Sequence, residues 1–279
     1  LSHASEEIRL KSLIVLQNMP DGVASDDVES LLQDDNQEVR IEAMRLLCTI
    51  NPDFIPRLQS YLEQQDLRIQ SAAIVCIAES GDSEAEQLIT DDVIQSLLDR
   101  DGAKSVMLRS QVARALGAIR NPALRPYLLR LMEDPDLAVA RVAIEGTGAS
   151  RDPEFIPLLM DKLADSTYRI NARNALAVYG AAALDQLRRA LIDRETDPDI
   201  RRHIPRVLRE IRVQHSVDIM LEGLEDMSLS LQYPIVKSLN KLHKYPMLRI
   251  DPARVQAAIV NETQVYYESL AMQHISWED

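Results

Sequence analysis

The sequence predicts an all-α solenoid, a stack of about seven helix pairs closed by capping helices, and three observations predict it. Leu, Ala, Ile, Arg, Asp and Glu dominate the 279 residues, while aromatics make up 4% and glycines number eight. Such straight-chain and small side chains lose little rotamer freedom in a helix. One short pattern returns about every 30 residues along nearly the whole chain, the signature of a repeat architecture. Within its copies apolar residues recur three and four apart, and period-two runs of β-branched or aromatic residues are missing, so no sheet is expected.

The clearest copy reads VESLLQDDNQEVRIEAMRLLCTI, with Asp34, the pair Val39-Arg40, then Ala43 and Leu46-Leu47. Comparable anchors follow at Leu67-Arg68, Leu108-Arg109, Val139-Ala140, Tyr168-Arg169, Ile200-Arg201 and Leu231-Gln232, after a partial copy at Ile8-Arg9. The steps are 28, 41, 31, 29, 32 and 31 residues, and the long one predicts an extended loop around Asp99–Val106. NPDFIP, NPALRP and RDPEFIP precede three anchors. Proline is welcome in a first helical turn, where its missing N–H had no partner, so each first helix is expected to begin there. The chain then turns at stretches such as EDPD or ADST, and the anchor opens the second helix. From Ile200, the residues Ile204, Val207, Leu208 and Ile211 line one face of a 3.6-residue period, and Leu231, Ile235, Leu239 and Leu242 repeat the pattern. A pair of about 30 residues cannot bury such a stripe alone, so neighbours must stack.

The whole chain, 1–279, is therefore read as one stack. Residues 1–30 form a partial repeat or cap, 31–250 the seven repeats, and 251–279 a final capping helix. The apolar side of that helix holds Val255, Ala258-Ile259, Val265-Tyr266 and Leu270, which leaves Tyr267 and Trp277 for outside contacts.

This pattern resembles the HEAT-repeat family, and the resemblance implies a right-handed α-solenoid of HEAT-like pairs, armadillo-like in outline. In that family an Asp and an Arg six residues apart bridge adjacent repeats in a ladder. Asp34 with Arg40 fits, as does Glu195 with Arg201, whereas the ladder looks broken where Asp134 meets Ala140 and Asp226 meets Gln232. A narrower similarity is carried by RRHIPRVLREI, LEGLED, VKSLNKLHKYP and IVNETQVYYESL. These segments resemble the HEAT-repeat soluble tail of bacterial membrane proteins similar to ADP/ATP carriers, which implies a regulatory module attached to a nucleotide transporter. An opening at Leu1 rather than Met fits a segment of a longer protein.

The net charge of −13 is uneven: residues 1–100 hold 20 acids and 7 bases, and the remainder holds 24 of each. An acidic chain is a poor counterion-releasing surface, so nucleic acid is not an expected partner. Two cysteines give no disulfide framework, and neither a secretory segment nor an apolar run of membrane-spanning length occurs. A cytoplasmic setting, free or on the cytosolic side of a membrane protein, is the expectation.

Known catalytic patterns are missing. None of His3, His203, His215, His243 and His274 is followed by Glu, which removes the His-Glu pairs of HEAT-type di-iron hydroxylases. HExxH, zinc-spaced Cys/His clusters, G-x-S-x-G, P-loop and G-x-G-x-x-G motifs are also lacking. The expectation is a chain that is not an enzyme, with no catalytic, cofactor or metal residues. A bilin lyase of the HEAT-like type stays open as an alternative, since those enzymes also lack an evident motif. Cys48 and Cys76 share a repeat position with Gly117, Gly148 and Ala177, which points to small-residue packing rather than reactive thiols.

That position then changes to Arg209 and Asn240. On a continuous helix from Ile200, Arg202, Arg206 and Arg209 fall at roughly 200°, 240° and 180°, opposite the apolar stripe, and Tyr233, Lys237 and Asn240 repeat those angles. Second helices of HEAT stacks line the concave side, so these six residues are the candidate partner-binding patch. Arginine forks suit carboxylates and phosphates, so the expected partner is a protein, through an acidic or phosphorylated segment or an adjoining domain of the parent. Pairing with Asp193, Asp197, Asp199 and Glu210 is the competing fate of the arginines, and docking of the acidic N-terminal third is another.

Overall fold

A computed structural model describes residues 1–64, 66–99, 103–119, 121–225, 229–260, 263 and 264. The described residues form helices, turns and connections, with no strand among them. They divide into two compact units, 1–146 and 147–279.

In the first unit α1 (Glu6–Asn18) is the second helix of the partial repeat. Four pairs follow. Helix α2 (Ser25–Glu29) precedes α3 (Gln37–Ile50), and α4 (Gln59–Leu62) precedes α5 (Leu67–Ser80). Helices α6 (Ser83–Glu86) and α7 (Asp91–Leu98) precede α8 (Ala103–Ala118), and α9 (Arg125–Met132) precedes α10 (Leu137–Ser150), whose last turn belongs to the second unit. Second helices pack on second helices, α1 on α3, α3 on α5 and α5 on α8. The second unit holds α11 (Ile156–Asp161) with α12 (Arg169–Tyr179), and α13 (Leu184–Ile192) with α14 (Pro198–Arg201) and α15 (Ile204–Ile211). It continues with α16 (Gln214–Gly223), α17 (Leu229–Leu242) and a helical stretch at 252–260. Here α12, α15 and α17 pack in succession.

The start of each element follows from its sequence. Asn51, Asn121 and Asp152 accept from the backbone N–H two residues on, and Pro52, Pro122 and Pro153 occupy the first turn. These three first helices open as 3₁₀ turns, and a second proline stands at 56, 126 and 157. Second helices are capped by Asn36, Asp66, Asp136 and Asp197, whose side chains accept from the N–H two residues on, and at the first three from the next as well. Val39, Val139 and Ile200 lie three residues past such a cap, the first two buried and Ile200 half-buried; of the other anchors, Leu108 and Leu231 are buried within their helices, and the half-buried Tyr168 is itself the N-cap of α12.

In the second repeat this rule selects Ile69-Gln70, since Asp66 is the cap and Ile69 is buried where Leu67 is half-exposed. The anchor expected at Leu67 is therefore shifted by two residues. The loop expected around Asp99–Val106 is also corrected, because α8 begins at Ala103 and the extra length forms the short helix α6.

At six anchors the following residue closes its own helix pair, whereas Ala140 has no side-chain donor to do so. Arg9 donates to the carbonyls of His3 and Ala4, Arg40 to those of Asp34 and Asp35, and Arg169 to those of Leu163 and Ala164. Gln70 reaches the Leu62 carbonyl, Arg201 that of Leu191 and Gln232 that of Leu224. These carbonyls end the preceding segment, where intrahelical donors run out.

The ladder is built differently from the six-residue expectation. Arg40 bonds the carbonyls of Asp34 and Asp35 rather than the Asp34 carboxylate. The partner of Asp34 is Arg9, one repeat earlier, at 2.7 and 2.8 Å, and the partner of Asp134 is Arg109 at 2.7 and 3.1 Å. So the ladder is intact at Asp134 although Ala140 follows; Asp226 lies outside the described residues. Hydrogen bonding from Arg9 holds the Asp34 carboxyl below the usual carboxylate range. Its contribution to stability is complete above that range and is lost as pH falls through it.

Small residues set helix approach. A Cβ at Gly117 would lie 2.4 Å from the Gly146 Cα, and one at Gly148 would lie 2.8 Å from the Ala175 Cα. Cys76 is buried and hydrogen-bonded with Cys48, and this bond and burial push the Cys76 thiol well up.

Three substitutions test this frame by urea denaturation. Arg109→Ala strands the Asp134 carboxylate, only 7% exposed, and is expected to cost about 3 kcal/mol. Removing Arg130 from its half-exposed pair with Asp99 is expected to cost under about 1 kcal/mol. Gly117→Ala must push apart the backbones of α8 and α10 and is expected to cost about 2 kcal/mol or more.

Candidate protein-docking surface

The expected patch starts at a break in the helix. Helix α14 ends at Arg201, Arg202 and His203 form a turn, and α15 opens with Pro205 in its first turn. Pro205 has no N–H for the Arg201 carbonyl, so a continuous helix from Ile200 is interrupted here. The angular argument that put Arg202 in line with Arg206 and Arg209 is corrected on that ground.

The arginines have different fates. Arg202 pairs with Asp199 at 3.1 Å in an ion pair about half exposed on both sides, which contributes little. Arg209 is half-buried and forks onto Glu210 at 2.8 and 3.2 Å, which holds the Glu210 carboxyl below its usual range. Arg206 is exposed and has no hydrogen bond or ion pair from its guanidinium among the described residues. Asp193 and Asp197 accept from the N–H groups of Glu195 and Asp199. Local pairing therefore takes Arg202 and Arg209 and leaves Arg206.

On α17, Tyr233 is 56% exposed, with the Lys237 ammonium 5.4 Å over its ring and 3.5 Å from its hydroxyl. Tyr233, Lys237 and the exposed Asn240 border a groove of about 700 Å³ between α17 and 252–260. Its walls are mainly apolar, from Val236, Leu239, Ile250, Pro252, Val255 and Ile259, with His243 at the edge. Arg209 belongs to a smaller polar pocket of about 190 Å³ with Glu210, Arg212, Lys241 and Lys244. There Arg212, in a left-handed cap, lies 5.4 Å over the Tyr245 ring. The structure thus gathers Tyr233, Lys237 and Asn240 on one groove, Arg209 on another pocket, and Arg202 and Arg206 on neither.

The groove residues beyond α17 did not belong to the expected patch. Their signal was present as Val255 and Ile259 four apart, opposite Val236 and Asn240 four apart. Tyr267 and Trp277, the expected outside contacts, lie outside the described residues.

His203 is a core residue, 9% exposed with both ring nitrogens unpartnered. Burial, then the charges of Arg169, Arg206 and Arg202, push it down to about 4, against an opposing pull from Asp199. Among the described residues no group of three His, Cys, Asp or Glu could hold a metal ion, and no helix is long and apolar enough to cross a membrane.

A model of HEAT repeats matches residues 25–104 and 90–180, more than half of the chain. This chain is a member of the HEAT-repeat family. No curated protein matches the HEAT chain by sequence. Solved structures similar to it include human deoxyhypusine hydroxylase with glycerol, 16% identical, over 84% of this chain and 99% of that one, at TM-score 0.35. The complex of CpcE and CpcF of phycocyanin lyase from Nostoc is 15% identical over 87% and 94%, at TM-score 0.43. Escherichia coli YibA is 17% identical over 94% and 98%, at 0.42. Enzymes thus stand among the similar folds, and the expectation that this chain is not an enzyme is withdrawn on that finding.

His203 gives a pH test. With its folded-state value lowered from 6.5 to about 4, the unfolded chain takes up the proton first. Stability is therefore full above pH 6.5 and falls as pH drops toward 4. His203→Phe is expected to flatten urea-derived stability across that window, by on the order of 2 kcal/mol, while the loss below it, driven by carboxylates such as Asp34, persists.

Proposed function

We propose that the second unit is a protein-interaction module, in which the face of α15 and α17 receives an acidic segment of a protein partner. The observation that carries this reading is a basic rim beside an open apolar groove. Arg206 and Lys237 are exposed at equivalent positions of adjacent second helices, with Arg202, Lys241 and Lys244 near them in sequence, and the groove of about 700 Å³ begins at Tyr233 and Lys237. Guanidinium and ammonium groups meet carboxylates or phosphates, and the walls of Val236, Val255 and Ile259 accept apolar side chains. The site residues proposed are Arg202, Arg206, Arg209, Tyr233, Lys237 and Asn240, with Arg209 reached by displacement of Glu210. Arg202 and Arg209 exchange weak local pairs for the partner's acids.

We read the whole chain as one stack, with caps at 1–30 and 251–279 around repeats in 31–250. The four segments that resemble the tails of carrier-like membrane proteins support a parent of that kind, with this module on the cytosolic side.

The test is fluorescence anisotropy with a labelled amphipathic peptide bearing Glu and Leu three and four residues apart, plain or phosphorylated. The triple variant of Arg202, Arg206 and Arg209 to Glu is expected to weaken binding at least about tenfold, or 1.4 kcal/mol, with an unchanged helical circular dichroism spectrum. Wild-type affinity is expected to fall as salt rises. Equal binding by the triple variant would remove the patch from consideration.

A further inference from the structure

The groove against α17 also has a candidate occupant within the chain. One wall is the stretch 252–260, which leaves Ile259 and Val260 43% and 58% exposed, and Thr263 and Gln264 follow as exposed residues. Downstream lies VYYESLAMQHISWED, residues 265–279. It carries Glu268, Glu278 and Asp279 with no Lys or Arg, so it is the acidic counterpart of a rim formed by Lys237 and His243. At roughly 100° per residue, Tyr266, Leu270 and Trp277 share one helical face within about 40°. Three large apolar side chains on an acidic segment match the groove's walls in kind.

We infer that residues 265–279 dock in the groove between α17 and 252–260 and so compete with the external partner. This rests on the reading that the groove takes acidic, apolar segments. The tether favours it: a segment joined within a few residues of its site faces an effective concentration of about millimolar. An external partner then binds only the fraction of molecules whose own segment has left, and its apparent affinity falls in proportion.

Trp277 is the only tryptophan, so its fluorescence reports the segment directly in the full chain. Expected are an emission maximum blue-shifted from N-acetyltryptophanamide and several-fold weaker acrylamide quenching, both independent of protein concentration. Lys237→Glu and Ile259→Asp, both at exposed positions, are expected to red-shift Trp277 and restore quenching. Ile14→Asp on α1 is expected to leave it unchanged, with circular dichroism unaltered in all three. A labelled peptide of residues 261–279 is expected to bind the full-length Leu270→Asp variant at least about tenfold more tightly than wild type. Fully quenched Trp277 in wild type, protection that ignores Lys237→Glu and Ile259→Asp, or protection that rises with protein concentration overturns the inference. So does equal or absent binding of the 261–279 peptide to both chains. Binding of the external Glu/Leu peptide in those same samples shows that the docking reading stands without the self-docking one, and its loss shows that both have failed.

Discussion

The structure depends on how a short helix pair is closed at its own turn. A first helix ends in carbonyls without donors, and at that point the chain reverses to start a second helix. The side chain after the anchor meets those carbonyls: a guanidinium from Arg40, Arg169 or Arg201, or an amide from Gln70 or Gln232. Arginine and glutamine are interchangeable here because both extend far enough to donate N–H groups across the turn. With the turn satisfied internally, each pair offers its neighbours a mainly apolar face.

Much of the fold was legible because these constraints are local. Proline pairs announced three of the first helices, and the recurring anchor pairs announced the second ones. The register slip at Leu67 arose because Leu67-Arg68 imitates the hydrophobic–basic anchor, while the working pair Ile69-Gln70 uses an amide in place of a guanidinium. The ladder was misjudged for a different reason. Its partners are 25 residues apart, and that spacing depends on how helices stack rather than on a turn within one repeat.

The docking face was only partly legible. Sequence angles placed Tyr233, Lys237 and Asn240 together because α17 runs unbroken from Leu229 to Leu242 despite Pro234. They failed at Arg202, where Pro205 interrupts the equivalent helix. Pro234 lies inside α17, which continues through it, whereas Pro205 opens α15 after the turn at Arg202 and His203. The apolar walls from Val255 and Ile259 escaped the patch because a groove is a property of two elements, and angular arithmetic treats one at a time.

The two kinds of arginine contact also bear on how such a chain can grow. The bond from Arg40 or Arg169 to the carbonyls of its own turn would travel intact with any duplicated copy of its repeat. The bidentate grips of Arg9 on Asp34 and Arg109 on Asp134 would not, because each names a specific neighbour. Lengthening by duplication is thus resisted most where a nearly buried carboxylate, Asp34 or Asp134, would be left facing a stranger.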